Sequence, residues 1–202
     1  FTVLELMISV AVLGLVTAGV VTATKAGTGT FQTNMANGDV ETKGRRVMDR
    51  ITKELTSANI VTNPLALDPW SPTIDFQMPT DYTGGALTWG PTMQLTMELE
   101  PGELDNGIDD NGNGLIDEYQ LVRISDPFGE NTRVVLAKGI PELLEGEEEN
   151  NEDDNGNGLE DEPGVSFSLV DNRLSVRISI QGRDPDGRLI VRTSETVIGL
   201  RN

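Results

Sequence analysis

A long apolar segment at the start of the chain constrains the fold more than any other feature. It contains a single ionisable side chain, Glu5, and the next charged residue is Lys25. The 19 uncharged residues between them span about 28 Å of hydrocarbon as an α-helix, at ~1.5 Å per residue. A carboxylate in hydrocarbon costs at least about 2.5 kcal/mol, and such residues are usually functional and paired. Because no basic side chain is close in sequence, we expect Glu5 to meet an α-amino group, its own or that of a neighbouring copy of the chain.

The first residue leads to a second expectation. The chain begins with Phe1 rather than Met. In a secretory signal peptide a positively charged stretch precedes the apolar residues, and this sequence shows none. We therefore expect a mature form, cleaved before Phe1 and built to associate with other copies of itself.

The pattern Phe1-Thr2-x-Leu4-Glu5, followed by about twenty apolar residues, resembles the mature N-terminus of type IV pilins and type II secretion pseudopilins. The resemblance implies that a dedicated peptidase cleaves before Phe1 and methylates the new amine. It also implies that Glu5 neutralises the amine of the neighbouring subunit during filament assembly. Two features depart from the family: Thr22 stands where many pilins have a helix-kinking proline, and there is no Cys for a C-terminal disulfide loop.

Two further segments resemble one branch of that family, the J-type pseudopilins and W-type minor pilins. They are residues 45–51 together with 54–55, and the terminal residues 200–202. This second resemblance does not cover the middle of the chain.

An ordinary signal anchor or single transmembrane helix is the alternative interpretation of residues 1–24. Such an anchor, however, has no reason to keep Glu5. Gly14 and Ala18 also form a small-xxx-small pair, which lets helices approach closely. The pattern therefore favours a helix that packs against other helices.

Composition argues against catalysis. The chain contains no His and no Cys, so the commonest general base, the usual transition-metal ligand and any disulfide are missing. It has no Gly-x-Ser-x-Gly elbow, phosphate-binding glycine loop or His/Glu metal motif. We expect a protein that is not an enzyme.

The formal net charge of −18 is unevenly spread, because residues 54–122 and 139–172 contain no Lys or Arg. Such a surface repels a phosphate backbone, so we expect no direct nucleic-acid binding by this acidic domain. Acidic blocks of this kind are solvated tails or cation sites.

The acidic stretches contain a duplicated loop. Residues 105–118 recur as residues 149–162 and agree at ten of fourteen positions. Each copy holds Asp-x-Asn-x-Asn-Gly-Leu-x-Asp, the first half of an EF-hand-type loop. Alternate oxygen-bearing residues wrap around a hard cation, the glycine permits a sharp turn, and the seventh residue supplies its carbonyl oxygen.

This spacing predicts two Ca²⁺ sites, one in each loop. The candidate ligands of the first site are Asp109, Asn111, Asn113, the carbonyl of Leu115, and Asp117. Those of the second site are Asp153, Asn155, Asn157, the carbonyl of Leu159, and Asp161.

Both loops depart from a full EF-hand at position twelve, where Gln120 and Gly164 replace the bidentate Glu. Either Glu118 and Glu162 supply the missing oxygens, or the acid at position nine closes the shell. That arrangement resembles the calcium loops of dockerins and thrombospondin-type repeats. The alternative is that these Asn-Gly strings are simple hairpin turns. In the calcium interpretation, the ion stabilises the domain as a disulfide does in other pilins.

The periodicity of the chain predicts an α+β fold in which a long N-terminal helix packs on an antiparallel β-sheet domain. We expect the helix from near Phe1 to about Ala58, with an apolar stripe at helical spacing in its second half. The stripe is Val40, Gly44, Val47, Met48, Ile51, Leu55 and Ala58. Strand patterns occur at 73–78, 93–99, 119–124, 132–137, 165–170, 174–180 and 189–198. Turns are expected at 126–129, 171–172 and 182–187.

The chain therefore divides into three parts: a membrane or filament-core helix (1–24), an amphipathic continuation (25–60) and a β domain (61–202) carrying the acidic loops. The expected function is that of a structural subunit of a type IV pilus. It waits in the bacterial inner membrane and then joins an extracellular filament.

The expected partners are copies of itself, other pilins and the assembly machinery. One alternative is a minor pilin or a type II secretion pseudopilin in a short periplasmic filament. A second is a membrane-anchored, calcium-binding envelope protein.

Overall fold

The computed structural model describes residues 2–62, 67, 69–126, 132–170 and 172–200, and within them it has one α-helix and eight β-strands. The helix is α1 (Val3–Leu55). The strands are β1 (Asn59–Ile60), β2 (Thr73–Thr83), β3 (Ala86–Leu99), β4 (Tyr119–Ser125), β5 (Thr132–Ile140), β6 (Val165–Val170), β7 (Arg173–Arg183) and β8 (Leu189–Gly199). The predicted α+β class is confirmed.

Helix α1 is continuous over its 53 residues. The Thr22 hydroxyl donates to the carbonyl of Ala18 at 2.9 Å, and Thr22 keeps the backbone N–H that a proline at this position would lack. The helix ends at Leu55 rather than at Ala58. Thr56 is its C-cap and makes the last i→i−4 bond, to the carbonyl of Thr52, and Asn59 already pairs with Gln77 of β2.

The two halves of α1 have different surroundings. The predicted stripe is confirmed: Val40, Gly44, Val47, Met48, Ile51 and Leu55 are buried, and Ala58 packs against the core just beyond the helix. These residues contact β7 and β8. The first half projects from the domain. Its most apolar 18-residue window has a mean hydropathy of 2.3 and no buried residue, so by length and composition it is able to cross a membrane.

The strands form two antiparallel sheets. The first has the order β1-β2-β3-β4-β5, and the second is the predicted meander β6-β7-β8. Ser71 and Phe167 join them, since the N–H of each donates to the carbonyl of the other at 2.9 Å.

The core lies between these layers and α1. Its largest fully buried side chains are Ile51, Leu55, Leu67, Ile74, Phe76, Leu95, Leu121, Ile140, Phe167, Leu174, Ile178 and Ile180.

The β2–β3 hairpin is longer than predicted. The predicted strands 73–78 and 93–99 left out Pro79 and Pro91, yet both prolines lie inside strands. Register shifts flank Pro79, and Pro91 lies beyond the last β3–β4 pair, Met93–Ser125. Neither proline therefore interrupts a ladder that needs its missing N–H.

The two acidic loops interrupt the sheets where predicted, but in different places. Loop one joins β3 to β4, and its ends meet at the Leu99–Tyr119 pair of one hairpin. Loop two joins β5 to β6. The chain passes from the five-stranded to the three-stranded sheet once in the described elements, and it does so through loop two.

Some predicted features lie outside the described residues. They are Phe1, positions 127–129 of one turn, Asp171 of another, and residues 201–202.

Candidate metal loops and projecting helix

The first acid of each loop organises the backbone that follows. Asp109 accepts the N–H groups of Gly112 (2.6 Å) and Asn113 (3.1 Å) with Oδ1, and that of Gly114 (2.7 Å) with Oδ2. Asp153 does the same with the matching residues 156–158, at 2.7, 3.0 and 2.8 Å. Three donors on one carboxylate curl the chain around it, and this geometry is duplicated.

The asparagines at positions three and five of each loop continue the curl. The side-chain oxygen of Asn111 accepts the N–H of Asn113 at 3.0 Å, and that of Asn113 accepts the N–H of Leu115 at 2.8 Å. In loop two, Asn155 and Asn157 make the equivalent bonds, at 3.0 and 2.9 Å, the second to Leu159. The candidate ligands at positions one, three, five and seven thus lie along one turn of backbone in each copy.

The acid at position nine has another role in the described geometry. Asp117 accepts the N–H groups of Asn106 (3.1 Å) and Gly107 (2.6 Å). Asp161 likewise accepts those of Asn150 (3.1 Å) and Asn151 (2.9 Å). These acids therefore connect the end of each loop to its beginning. The side chain that approaches the turn around Asp109 or Asp153 belongs instead to the residue after position nine.

That next residue is a fully buried glutamate. Glu118 and Glu162 are 0% exposed. Glu118 Oε1 accepts the side-chain amides of Asn111 (2.7 Å) and Asn113, and Glu162 Oε2 accepts that of Asn157. Asp117 and Asp161 have φ values of +49° and +48°, and this left-handed turn carries the glutamate toward the asparagines.

Position twelve holds no carboxylate in either loop. Gln120 lies in β4, where its amide donates to Glu98 at 3.1 Å. A Cβ at Gly164 would lie 1.9 Å from the carbonyl oxygen of Pro141, so this position has no room for a side chain. Of the two alternatives for closing the shell, this geometry favours Glu118 and Glu162.

The repeat is longer than the sequence comparison indicated, because a second glutamate holds each loop from outside. Glu103 accepts the N–H of Asn111 at 2.9 Å, and Glu147 accepts that of Asn155 at 3.3 Å. The backbone bonds also match: Glu100 N–H to Glu118 carbonyl (3.0 Å), and Leu144 N–H to Glu162 carbonyl (2.9 Å). The repeat thus covers residues 100–118 and 144–162.

The sequence does carry a signal for these glutamates. Each follows a glycine at the same spacing, Gly102 and Gly146, with φ values of +97° and +90°. A Cβ on either glycine would lie 3.3 Å from the Cβ of the asparagine at position three of its loop, Asn111 or Asn155. The Gly-Glu pair therefore lets the backbone approach the loop closely.

The chemistry of the donors fits a hard divalent cation. Carboxylate, amide and carbonyl oxygens suit calcium, and the chain has no His or Cys to offer a softer metal. No three Asp or Glu side chains in the described part of the chain are arranged to hold a metal by themselves. Amide and carbonyl oxygens are therefore needed to complete a shell.

Two buried carboxylate oxygens in loop one support the same chemistry. Glu103 Oε2 and Glu118 Oε2 have no hydrogen-bond partner among the described residues. A buried unpaired carboxylate is costly, and a cation bound in the loop would compensate it.

Acids of both loops affect the pKa of Glu142. Partial burial raises the pKa of Glu142, and the negative charges of Asp105, Glu149 and Asp117 raise it further. Burial also raises the pKa of Tyr119, with Glu142, Asp105 and Asp117 adding to the effect. Acids of both loops therefore act on Glu142, and acids of loop one also act on Tyr119.

The projecting half of α1 begins with a capping box. The N–H of Thr2 donates to Glu5 Oε2 at 2.8 Å, and the N–H of Glu5 donates to Thr2 Oγ1 at 3.3 Å. Glu5 thus caps its own helix in the single chain. Phe1, its predicted partner, lies outside the described residues.

Comparison with protein-family models, with curated proteins and with solved structures finds no match to this chain. The pilin resemblance therefore depends on the residues at the start of the chain, and the calcium prediction depends on the two loops.

Proposed function

We propose that this protein is a structural subunit of a helical filament of the type IV pilus kind, held in the membrane by the first half of α1 before assembly. The observation that supports it most is an apolar half-helix that leaves the domain with no buried residue and carries one acid. A lipid bilayer solvates the exposed aliphatic side chains, but it does not solvate the charge of Glu5. A bundle of identical helices satisfies both requirements.

The capping box does not remove this problem, because it gives Glu5 a neutral donor. A neighbouring α-amino group would neutralise the carboxylate. Two charges that would otherwise be unpaired in the low-dielectric core of the filament would then form an ion pair. Gly14 and Ala18, on the uncovered part of the helix, allow the close approach that such pairing needs.

The test replaces Glu5 with Gln in the full chain. We expect unchanged membrane insertion and at least a roughly tenfold lower yield of sheared filaments, since an unpaired buried charge costs several kcal/mol. Asp39→Asn is the matched control, because Asp39 is an exposed acid on the same helix outside the apolar segment. A normal filament yield from Glu5→Gln would contradict the proposal.

The wild-type preparation separates the related alternatives. A major subunit is the chief polypeptide of the sheared fibres, whereas a minor pilin or pseudopilin is present in few copies per fibre. A membrane-anchored envelope protein stays in the membrane fraction and is absent from fibres.

We also propose that both acidic loops bind Ca²⁺, and that the ion stabilises a domain in which no disulfide is possible. The duplicated oxygen rings and the unpartnered Glu103 and Glu118 oxygens support this. Without a cation, neighbouring carboxylates repel one another. With it, two long excursions become rigid turns.

Thermal unfolding tests the calcium proposal. At a free concentration a hundredfold above Kd, one site adds about 2.7 kcal/mol, or roughly 5–10 °C in Tm for a domain of this size. A chelator should remove this gain and expose residues 105–118 and 149–162 to protease, while magnesium at equal ionic strength should not restore it. The double variant Asp109→Asn/Asp153→Asn should lose the response. An unchanged Tm in the chelator would reject calcium.

A further inference from the structure

The two acidic loops have the same backbone but different surroundings at the glutamate that closes them. Glu118 Oε1 accepts the two asparagine amides, and its Oε2 has no partner among the described residues. In loop two, Glu162 Oε1 accepts both Ser166 Oγ at 3.2 Å and Arg177 Nη1 at 2.9 Å. Among the described residues, one oxygen of Glu118 therefore has no partner, whereas Glu162 is already paired with the guanidinium of Arg177.

The outer glutamates differ in the same direction. Glu103 uses one oxygen, on the N–H of Asn111, and its Oε2 is unpartnered in the described part of the chain although the residue is only 5% exposed. Glu147 uses both oxygens, on the N–H groups of Asn155 (3.3 Å) and Asp161 (3.2 Å). Within the described part of the chain, the buried glutamates of loop one therefore have two carboxylate oxygens without a partner, and those of loop two have none.

Arg177 is well placed to act as a fixed counter-charge. Its side chain is 13% exposed, and it contacts Glu162 at 2.9 Å and the more exposed Glu195 at 3.2 Å. Near loop one, Arg183 donates to the carbonyl of Gly114, and Lys138 pairs with Glu100. Neither of these basic residues contacts Glu118 in the described geometry.

We propose that the loops are unequal cation sites: loop one binds Ca²⁺ tightly with Glu118 as a ligand, and Arg177 weakens loop two by neutralising Glu162 from within the protein. This inference rests on the proposed calcium function. Its physical basis is that a resident guanidinium repels an incoming divalent ion and occupies an oxygen that the ion would use. The same residue stabilises loop two when no metal is bound.

Metal-free stability gives the first test, with a matched pair of isosteric variants in the full chain in detergent micelles. In chelator, Glu118→Gln should raise Tm by a few degrees, because it removes a buried unpaired charge. Glu162→Gln should lower Tm, because it leaves the largely buried guanidinium of Arg177 with only the more exposed Glu195 as a counter-charge. Shifts of the same sign in the two variants would overturn the inference.

Tryptophan gives a site-specific readout for loop two. Trp70 Nε1 donates to the carbonyl of Glu160 at 2.9 Å, so this indole lies against loop two. With Trp89→Phe as the background, Trp70 is the only tryptophan of the chain. Luminescence of Tb³⁺ sensitised by Trp70, and its displacement by Ca²⁺, then reports the affinity of loop two, while calorimetry reports both loops.

The expected affinities differ by at least about tenfold, with loop two the weaker site. Glu118→Gln should abolish the tight calorimetric phase and leave the Trp70 signal unchanged. Arg177→Met should tighten loop two about tenfold, and Arg177→Lys, which keeps the charge, should not. If Arg177→Met does not fold without metal, Arg177→Met/Glu162→Gln removes both charges, and loop two should then bind as in the wild type.

The outcomes separate the two proposals. Two equal sites, or loss of the weak phase in Glu118→Gln, would overturn the inequality but leave calcium binding intact. Absence of any calorimetric binding at millimolar Ca²⁺ would overturn both.

Discussion

At the scale of single residues, the left-handed backbone of Asp117 and Asp161 decides which carboxylate faces each loop. The sequence places an Asp and a Glu side by side at positions nine and ten, and either could close an oxygen ring. A φ near +49° is tolerated by Asp better than by most side chains. It directs Glu118 and Glu162 inward and leaves the aspartates to bond the start of the loop.

The close packing around Gly164 explains why a glycine occupies this position. As the twelfth position of loop two, it is a missing ligand by the EF-hand pattern, but its environment gives another reason for the glycine. An added Cβ would lie 1.9 Å from Pro141 O and 2.8 Å from Ile140 Cγ2. The contact depends on how β5 and β6 approach, which a local pattern does not contain.

Gly164→Ala should therefore destabilise the domain by about 2 kcal/mol or more, because the backbone must move to relieve the overlap. Thermal unfolding should show a Tm lower by roughly 4–8 °C. Gly38→Ala is the control, since an added methyl there meets no atom within 4 Å and should stabilise the helix by about 0.5–1 kcal/mol. A Gly164→Ala Tm equal to the wild-type value would contradict the close approach.

At the scale of elements, the sequence predicts best where one period governs a whole segment. The stripe of α1 and the meander β6-β7-β8 follow directly from spacings of 3.6 and 2. The β2–β3 extension was missed because its prolines are normally strand breakers. Only the pairing of neighbouring strands shows that neither N–H is needed.

The contact that fixes where α1 leaves the domain also escapes local patterns. Asp184, in the β7–β8 turn, accepts the N–H groups of Asp186 (2.9 Å) and Arg188 (2.8 Å) and the hydroxyl of Thr33 at 3.1 Å. The N–H of Arg188 is the main cause of the lowered pKa of Asp184. The charged carboxylate thus holds the turn and the helix together.

Thr33→Val should loosen α1 around residue 33 without changing its core contacts, because the two side chains have nearly the same shape. Hydrogen exchange of helix amides near residue 33 should become about three- to tenfold faster, the range for one hydrogen bond, while amides at 47–55 stay protected. Thr30→Val is the control, since the Thr30 hydroxyl bonds only to the carbonyl of Ala26 in its own helix. Equal exchange in both variants would contradict a role for Asp184.

At the scale of the whole molecule, acids that are far apart in the sequence act on the same residue. The acidic composition predicts repulsion, but only the fold shows which acids feel it. Partial burial of Glu142 raises its pKa above the ordinary value of 4.5, and the negative charges of Asp105, Glu149 and Asp117 raise it further. The folded protein therefore holds this proton to a higher pH than the unfolded chain does.

The sign of the pH dependence follows from linkage. The contribution of Glu142 to stability is fully present below pH 4.5 and is lost as pH rises through the raised pKa, so the charged residue destabilises the domain at neutral pH. Glu142→Gln should then raise Tm at pH 7 in chelator, and the difference from wild type should vanish below about pH 4. Glu152→Gln, which removes an exposed acid of loop two, is the charge-matched control. A Glu142→Gln effect that is the same at both pH values would reject this account.

The different placement of the two loops has a consequence for how the layers of the domain move. Both ends of loop one are attached to a single hairpin, and the side chain of Arg183 in β7 links it to the other sheet. Loop two is the one stretch of backbone through which the described sheets are connected in sequence, and its stiffness limits how far one layer shears over the other. A Ca²⁺ ion bound in loop two would stiffen the backbone connection between the two sheets. An ion in loop one would stiffen only a backbone connection between two strands of the same sheet.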